Sequence, residues 1–349
     1  LHIDGEDGAD RLYVFDGNDT KTNIGVLADQ WITGLGMGAI DLETYSDSDT
    51  GEVNNAAGYY AALAQADKGI EYLSFAELYL YLGTGVDTLY VASTHAGTNE
   101  INTDKFSRHQ GLVSAQGDRL PDPGDEDLVL INTIAGETTV NTGVSDDTIK
   151  VNYDETDTQT QTNGIGAVLN LHGQYGSDNY HIGLASTGSS LINVDDKRAE
   201  TAADRGDSQN YLTVYGTDNE DRFLFRADAL AAIAVDENDD QIGVERVNYD
   251  GDINGGLTVY GRNGADEFVF DDNSGITNVF GDAGDDVFQV GQIFQSKREA
   301  NSGLAEADWF HTTFTTRGYL SNGISEAASL YGGVGEDTFL VYHNKATLN

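Results

Sequence analysis

Apolar and polar residues alternate along much of the chain, and short turns rich in Gly and Asp interrupt the alternation again and again. The segment "LTVYGRNGADEFVFDDNSGITNVFGDAGDDVFQV", residues 257–290, carries this pattern twice. A period of two on both sides of a turn predicts strand, turn, strand, with one face of each strand buried.

Aligned on that unit, eight copies of fourteen positions can be read. They are "LHIDGEDGADRLYV" from Leu1, "LYLYLGTGVDTLYV" from Leu78, "TTVNTGVSDDTIKV" from Thr138, "LNLHGQYGSDNYHI" from Leu169, "LTVYGTDNEDRFLF" from Leu212, "LTVYGRNGADEFVF" from Leu257, "TNVFGDAGDDVFQV" from Thr277 and "ASLYGGVGEDTFLV" from Ala328. The tenth position is Asp throughout: Asp10, Asp87, Asp147, Asp178, Asp221, Asp266, Asp286 and Asp337. Positions five and eight are Gly in six copies each, and positions three, twelve and fourteen are always apolar or aromatic. A degraded ninth copy at "DEDLVLI" puts Asp127 at the tenth position.

Asp127 and Asp147 are 20 residues apart, as are Asp266 and Asp286. One uninterrupted coil therefore takes about 20 residues, two strands and two turns, and repetition at such a period predicts an all-β solenoid. Residues 1–349 are expected to form a single continuous solenoid. Longer gaps hold insertions, assigned to the Ala-rich residues 52–68, to 104–124 with both prolines, and to 297–323 with Trp309 and several basic residues. The last residues joined to the first, "ATLN" before "LHIDGEDGAD", resemble the internal "AVLNLHGQYGSD". Copies of the unit are accordingly expected to adjoin end to end, as tandem repeats or as stacked chains, and the chain is expected to be a segment of something longer.

Charge narrows the partners. A formal net charge of −41 excludes nucleic acid and an anionic membrane surface, because both are bound through Lys and Arg. It also opposes compaction by self-repulsion unless cations screen it. Cysteine is absent, so neither disulfides nor thiolate metal sites hold the fold. No apolar run reaches the roughly 20 residues of a membrane-spanning helix.

Gly at positions five and eight is expected to supply positive φ and a sharp turn. The Asp that follows then places a carboxylate among backbone carbonyls, an oxygen cluster suited to Ca²⁺. Stacking turn over turn at the ~4.8 Å strand spacing would let neighbouring coils share ions. A metal-free alternative stands beside this, since Asp also closes turns by accepting backbone N–H groups. A further oxygen-rich loop, "DGDINGG" at Asp250–Gly256, matches the first half of an EF-hand loop but lacks the closing Glu.

At "GGVGEDTFL", "GDAGDDVFQ", "GRNGADEFV" and "GEDGADRLY" the sequence resembles the RTX family, whose G-G-x-G-x-D-x-U-x repeat binds Ca²⁺ in a parallel β-roll. The resemblance implies that the fixed Asp residues are side-chain ligands. It also implies that Gly5, Gly8, Gly261, Gly264, Gly281, Gly284, Gly332 and Gly335 lend carbonyls. RTX repeats run every nine residues, whereas here the spacing is about twenty or more, so isolated sites are expected, foremost between Asp266 and Asp286 and between Asp337 and Asp10 of an adjoining copy. Stretches such as "GIEYLSFAELYLYLGTGVDTLYV" also resemble the repeats of very large bacterial surface proteins, which implies a right-handed parallel β-helix.

Catalytic signatures are missing from the sequence: no H-E-x-x-H, G-x-S-x-G or P-loop occurs. The resulting expectation is a non-enzymatic, extracellular, Ca²⁺-supported structural module of an adhesive, matrix or filament-forming protein. The alternative is a β-helix that binds or modifies polysaccharide in the manner of a lyase or epimerase. Trp31, Trp309 and "GYYAA" offer the aromatic faces that a cell-surface polysaccharide partner would need.

Overall fold

A computed structural model gives an all-β protein built on large parallel sheets. It describes residues 1–16, 22–35, 69–83, 85–103, 126–143, 145–153, 163–195, 208–236, 238, 240–300 and 302–349. The proposed insertions at 52–68 and 104–124 lie outside the described residues. No helix among those described is long and apolar enough to cross a membrane.

Residues gather into two compact units, the first chiefly Leu1–Asp157 with Gly164–Tyr180, the second chiefly His181–Asp195 with Gln209–Asn349. In the first unit, successive strands alternate between two sheets. One sheet runs Arg11–Phe15, Glu77–Tyr81, Thr98–Asn102, Thr138–Asn141, Val168–His172, all parallel. The other includes Asp87–Val91, Leu128–Ile131 and Thr148–Val151, again parallel.

Register follows the repeat. Leu80 pairs with Ile101, Ile101 with Val140 and Val140 with Leu171, so the third motif position of three copies and Ile101 between them form one aliphatic column, fully buried at each of these residues. In the second unit, Val214, Val259, Val279 and Leu330 make the equivalent column along Tyr211–Tyr215, Gly256–Tyr260, Thr277–Phe280 and Ala328–Tyr331. Opposite it, the twelfth position stacks aromatic rings. Phe223, Phe268, Phe288 and Phe339 lie face to face with centroids 5.4, 4.8 and 4.7 Å apart. A slip of one residue would turn each strand's apolar set outward, so these columns fix the register.

Two antiparallel hairpins enter these parallel stacks. In the first unit, Asn23–Ala28 pairs with Trp31–Gly34, which separates Asp87–Val91 from Ile70–Leu73. In the second, Ala229–Val235 and Gln241–Asn248 come between Ser190–Val194 and Arg222–Arg226. Neither was anticipated as a pair of sheet strands.

The insertion expected at 297–323 is partly strand. Thr313–Thr315, Gly318–Leu320 and Ile293–Phe294 form a small antiparallel sheet. Asp308 ties the insertion to Arg226 at 2.6 Å, and Arg298 sits over the rings of Phe294 and Phe310.

Candidate functional site: two ladders of buried aspartates

Stacking the strands in register stacks the turns as well, and with them the tenth-position aspartates. In the first unit Asp87, Asp127, Asp147 and Asp178 form a ladder. The N–H of Asp87 donates to Asp127 Oδ1 at 2.7 Å, that of Asp127 to Asp147 Oδ1 at 2.8 Å, and that of Asp147 to Asp178 Oδ1 at 3.0 Å. The backbone of Asn23 donates in the same way to Asp87 Oδ1. In the second unit Asp221, Asp266, Asp286 and Asp337 repeat the arrangement at 2.8, 2.9 and 3.1 Å. Except at Asp221, each carboxylate therefore belongs to one rung and accepts a backbone N–H from its neighbour.

Asp10 does not join. Its turn leads from His2–Asp4 to Arg11–Phe15 and neighbours the turn at Ser74–Ala76, whose Ala76 N–H donates to the Asp10 carbonyl. Among the copies of the first unit, its two strands fall in the two sheets in the reverse order, which puts Asp10 on the opposite row of turns.

The glycines hold two distinct jobs. At position eight, Gly8, Gly264, Gly284 and Gly335 have φ of 150°, 125°, 150° and 157°. A Cβ on Gly284 would fall 1.5 Å from the Gly264 carbonyl oxygen, and one on Gly335 would fall 1.8 Å from that of Gly284. These turns touch through bare backbone. At position five the expected positive φ is not found. Gly261, Gly281 and Gly332 are there for space: a Cβ would lie 2.2, 2.0 and 2.0 Å from Oδ2 of Asp266, Asp286 and Asp337. Gly5 likewise crowds against Asp10 and the Ser74 carbonyl. Positive φ belongs instead to position six, at Glu6, Gln174, Arg262 and Asp282.

Burying a carboxylate with one hydrogen bond disfavours its charge. Burial pushes Asp147 up to about 10 and Asp266 up to about 8, with neighbouring ladder carboxylates adding to both. Asp221 and Asp286 are raised for the same first reason, and backbone N–H donors work the other way. Oδ2 of Asp266 and of Asp286 is buried and has no hydrogen-bond partner. An orphaned carboxylate oxygen of this kind is satisfied by a proton or by a hard cation, so the residues fit Ca²⁺ as well as they fit the neutral acid.

A separate acidic group gathers at the EF-hand-like loop. Carboxylate oxygens of Asp195, Asp250 and Asp252 lie within 4.8 Å of one another. Asp195 was not foreseen, being far away in sequence. Asn254 accepts the N–H of Asn210 at 2.9 Å.

No family model matches the chain, and no match was found among curated proteins or among solved structures.

Gly284→Ala should destabilise the protein by more than about 1 kcal/mol in denaturant unfolding, since a non-Gly residue is strained at that φ and Cβ meets backbone. Gly251→Ala, with nothing within 4 Å, should be near neutral in the same assay. The raised acids also set a pH dependence. In the folded state they keep protons that the unfolded chain releases near pH 4, so the stability they contribute is present at low pH and is lost as pH rises through the folded values. In chelator, unfolding free energy should fall from about pH 4 to about pH 10, and Asp266→Asn should flatten the fall up to about pH 8. A fall of equal slope in the variant would contradict this assignment.

Proposed function

We propose that the chain is a non-enzymatic structural module in which each unit is a stretch of β-solenoid, its rungs joined by the aspartate ladder and supported by Ca²⁺. The observation that carries this reading is the ladder itself: hydrogen bonds of 2.7–3.1 Å run from rung to rung through carboxylates that are buried everywhere but at Asp337. The apolar columns supply burial at roughly 25 cal/mol per Å². The ladder supplies alignment.

Asp87, Asp147, Asp178, Asp266, Asp286 and Asp337 would contribute carboxylates to the ions, Asp266 and Asp286 through their donorless Oδ2, with Gly264, Gly284 and Gly335 lending carbonyls. Ca²⁺ there would replace protons, so affinity should rise with pH. Such a module suits an extracellular adhesive, matrix or filament-forming assembly, where Ca²⁺ at about millimolar level saturates weak sites. Its partner would be a further rung of the same kind. Phe339 and Val341 lie on the outermost strand of their sheet at 49% and 56% exposure, apolar residues that an added strand would cover.

Circular dichroism and thermal unfolding, with Ca²⁺ and with chelator, test the proposal. It expects a lower unfolding temperature in chelator, with the loss growing as pH rises. Identical unfolding temperatures across the pH range would leave the ladders as metal-free acids.

A further inference from the structure

Asp221 breaks the rule that its ladder otherwise obeys. In Asp87, Asp127, Asp147, Asp178, Asp266, Asp286 and Asp337, Oδ1 accepts a backbone N–H from a neighbouring rung. Asp221 has its Oδ2 filled, by the Thr217 N–H at 2.6 Å and the Thr217 hydroxyl at 3.1 Å, but its Oδ1 is buried and takes no donor.

The inserted hairpin explains why. Beside Arg222–Arg226 the next strand is the antiparallel Ala229–Val235, and beyond it lies Gln241–Asn248. Phe223 pairs with Ala232 and Ala232 with Glu245, so the hairpin turns a second carboxylate into the interior. Glu245 is 1% exposed. Its Oε2 accepts the N–H groups of Ala185 at 2.7 Å and Ser186 at 3.1 Å, while Oε1 is buried without a partner. Ser186 stands at φ 53° with its N–H on Glu245 and its buried hydroxyl against Asp221, whose charged form it favours. Burial raises the pKa of both acids, and the charge of Asp221 raises Glu245 further. Arg262, the basic group nearest in effect on Asp221, acts less than burial does and lies over the Tyr215 ring.

Two buried carboxylates lie with the Ser186 hydroxyl beside them, and one oxygen of each acid, Asp221 Oδ1 and Glu245 Oε1, closes no hydrogen bond. We propose that Asp221, Glu245 and Ser186 form a binding site for one hard divalent cation at the place where the hairpin interrupts the ladder. All three donors are oxygen, which favours Ca²⁺ or Mg²⁺ over metals that seek nitrogen or sulfur. Ca²⁺ is the better match, because it tolerates irregular geometry and Mg²⁺ demands a near-ideal octahedron. The site stands independently of whether the regular turns bind Ca²⁺, since Glu245 belongs to no copy of the repeat.

The test is a count of bound ions on the full chain, stripped with chelator, desalted and dialysed against Ca²⁺ at about millimolar level, the range of extracellular modules. Glu245→Gln keeps an oxygen for the Ala185 and Ser186 N–H groups and removes one charge. It should bind one Ca²⁺ fewer than the wild type and lose the matching part of the Ca²⁺-induced rise in unfolding temperature. In chelator it should be at least as stable as the wild type, because the repulsion is gone. Asp221→Asn, read the same way, covers the case in which the first variant fails to fold. Equal ion counts in wild type and variants would overturn the proposal. Should the wild type show no effect of chelator on the ladders yet still bind one ion that Glu245→Gln lacks, the structural-module reading would lose its Ca²⁺ and this site would stand.

Discussion

A buried carboxylate that accepts the backbone N–H of the neighbouring rung is the interaction on which this architecture depends. It needs strands that run parallel and in register, so that turn sits over turn. Where position five is Gly, as at Gly261, Gly281 and Gly332, the missing side chain leaves room for Oδ2, and at Gly264, Gly284 and Gly335 position eight takes positive φ with another backbone against it. Leu82 and Thr142 stand at position five beside Asp87 and Asp147, so the glycines ease the ladder without being indispensable to it. The apolar positions three and twelve build the columns that keep the register.

The same interaction leaves the fold with an electrostatic debt. The buried ladder carboxylates gain few hydrogen bonds in exchange for their hydration, and their neighbours in the ladder are acids as well. Asp266 and Asp286 each keep an oxygen with no donor. A proton settles this at low pH, and under the proposal made above a cation would settle it at high pH. The hairpin at Ala229–Asn248 concentrates the problem at Asp221 by exchanging a backbone donor for Glu245.

Much of this was legible in the sequence because period and spacing are geometric. The 20-residue separations of Asp127 from Asp147 and of Asp266 from Asp286 are the separations of hydrogen-bonded rungs. Alternation, by contrast, carries no strand direction: "ALAAIAV" reads the same in a parallel or an antiparallel neighbour, and the hairpins went unseen. The role of Gly261 and its equivalents was misassigned because a Gly before Asp is as consistent with a left-handed turn as with room for a carboxylate. Asp10 matches the motif fully yet lies apart, since which row a turn joins depends on the strands inserted between copies. Glu245, a lone acid in a strand, sends no signal until the sheet order is known.

Hydrogen exchange at the ladder amides tests the central claim most directly. If carboxylates lock rung to rung, the backbone N–H groups of Asp127, Asp147, Asp266 and Asp286 should exchange as slowly as those of the buried strands, although they sit in Gly-rich turns. Exchange at the rate of the exposed turn amides would mean that the aspartates do not join the rungs.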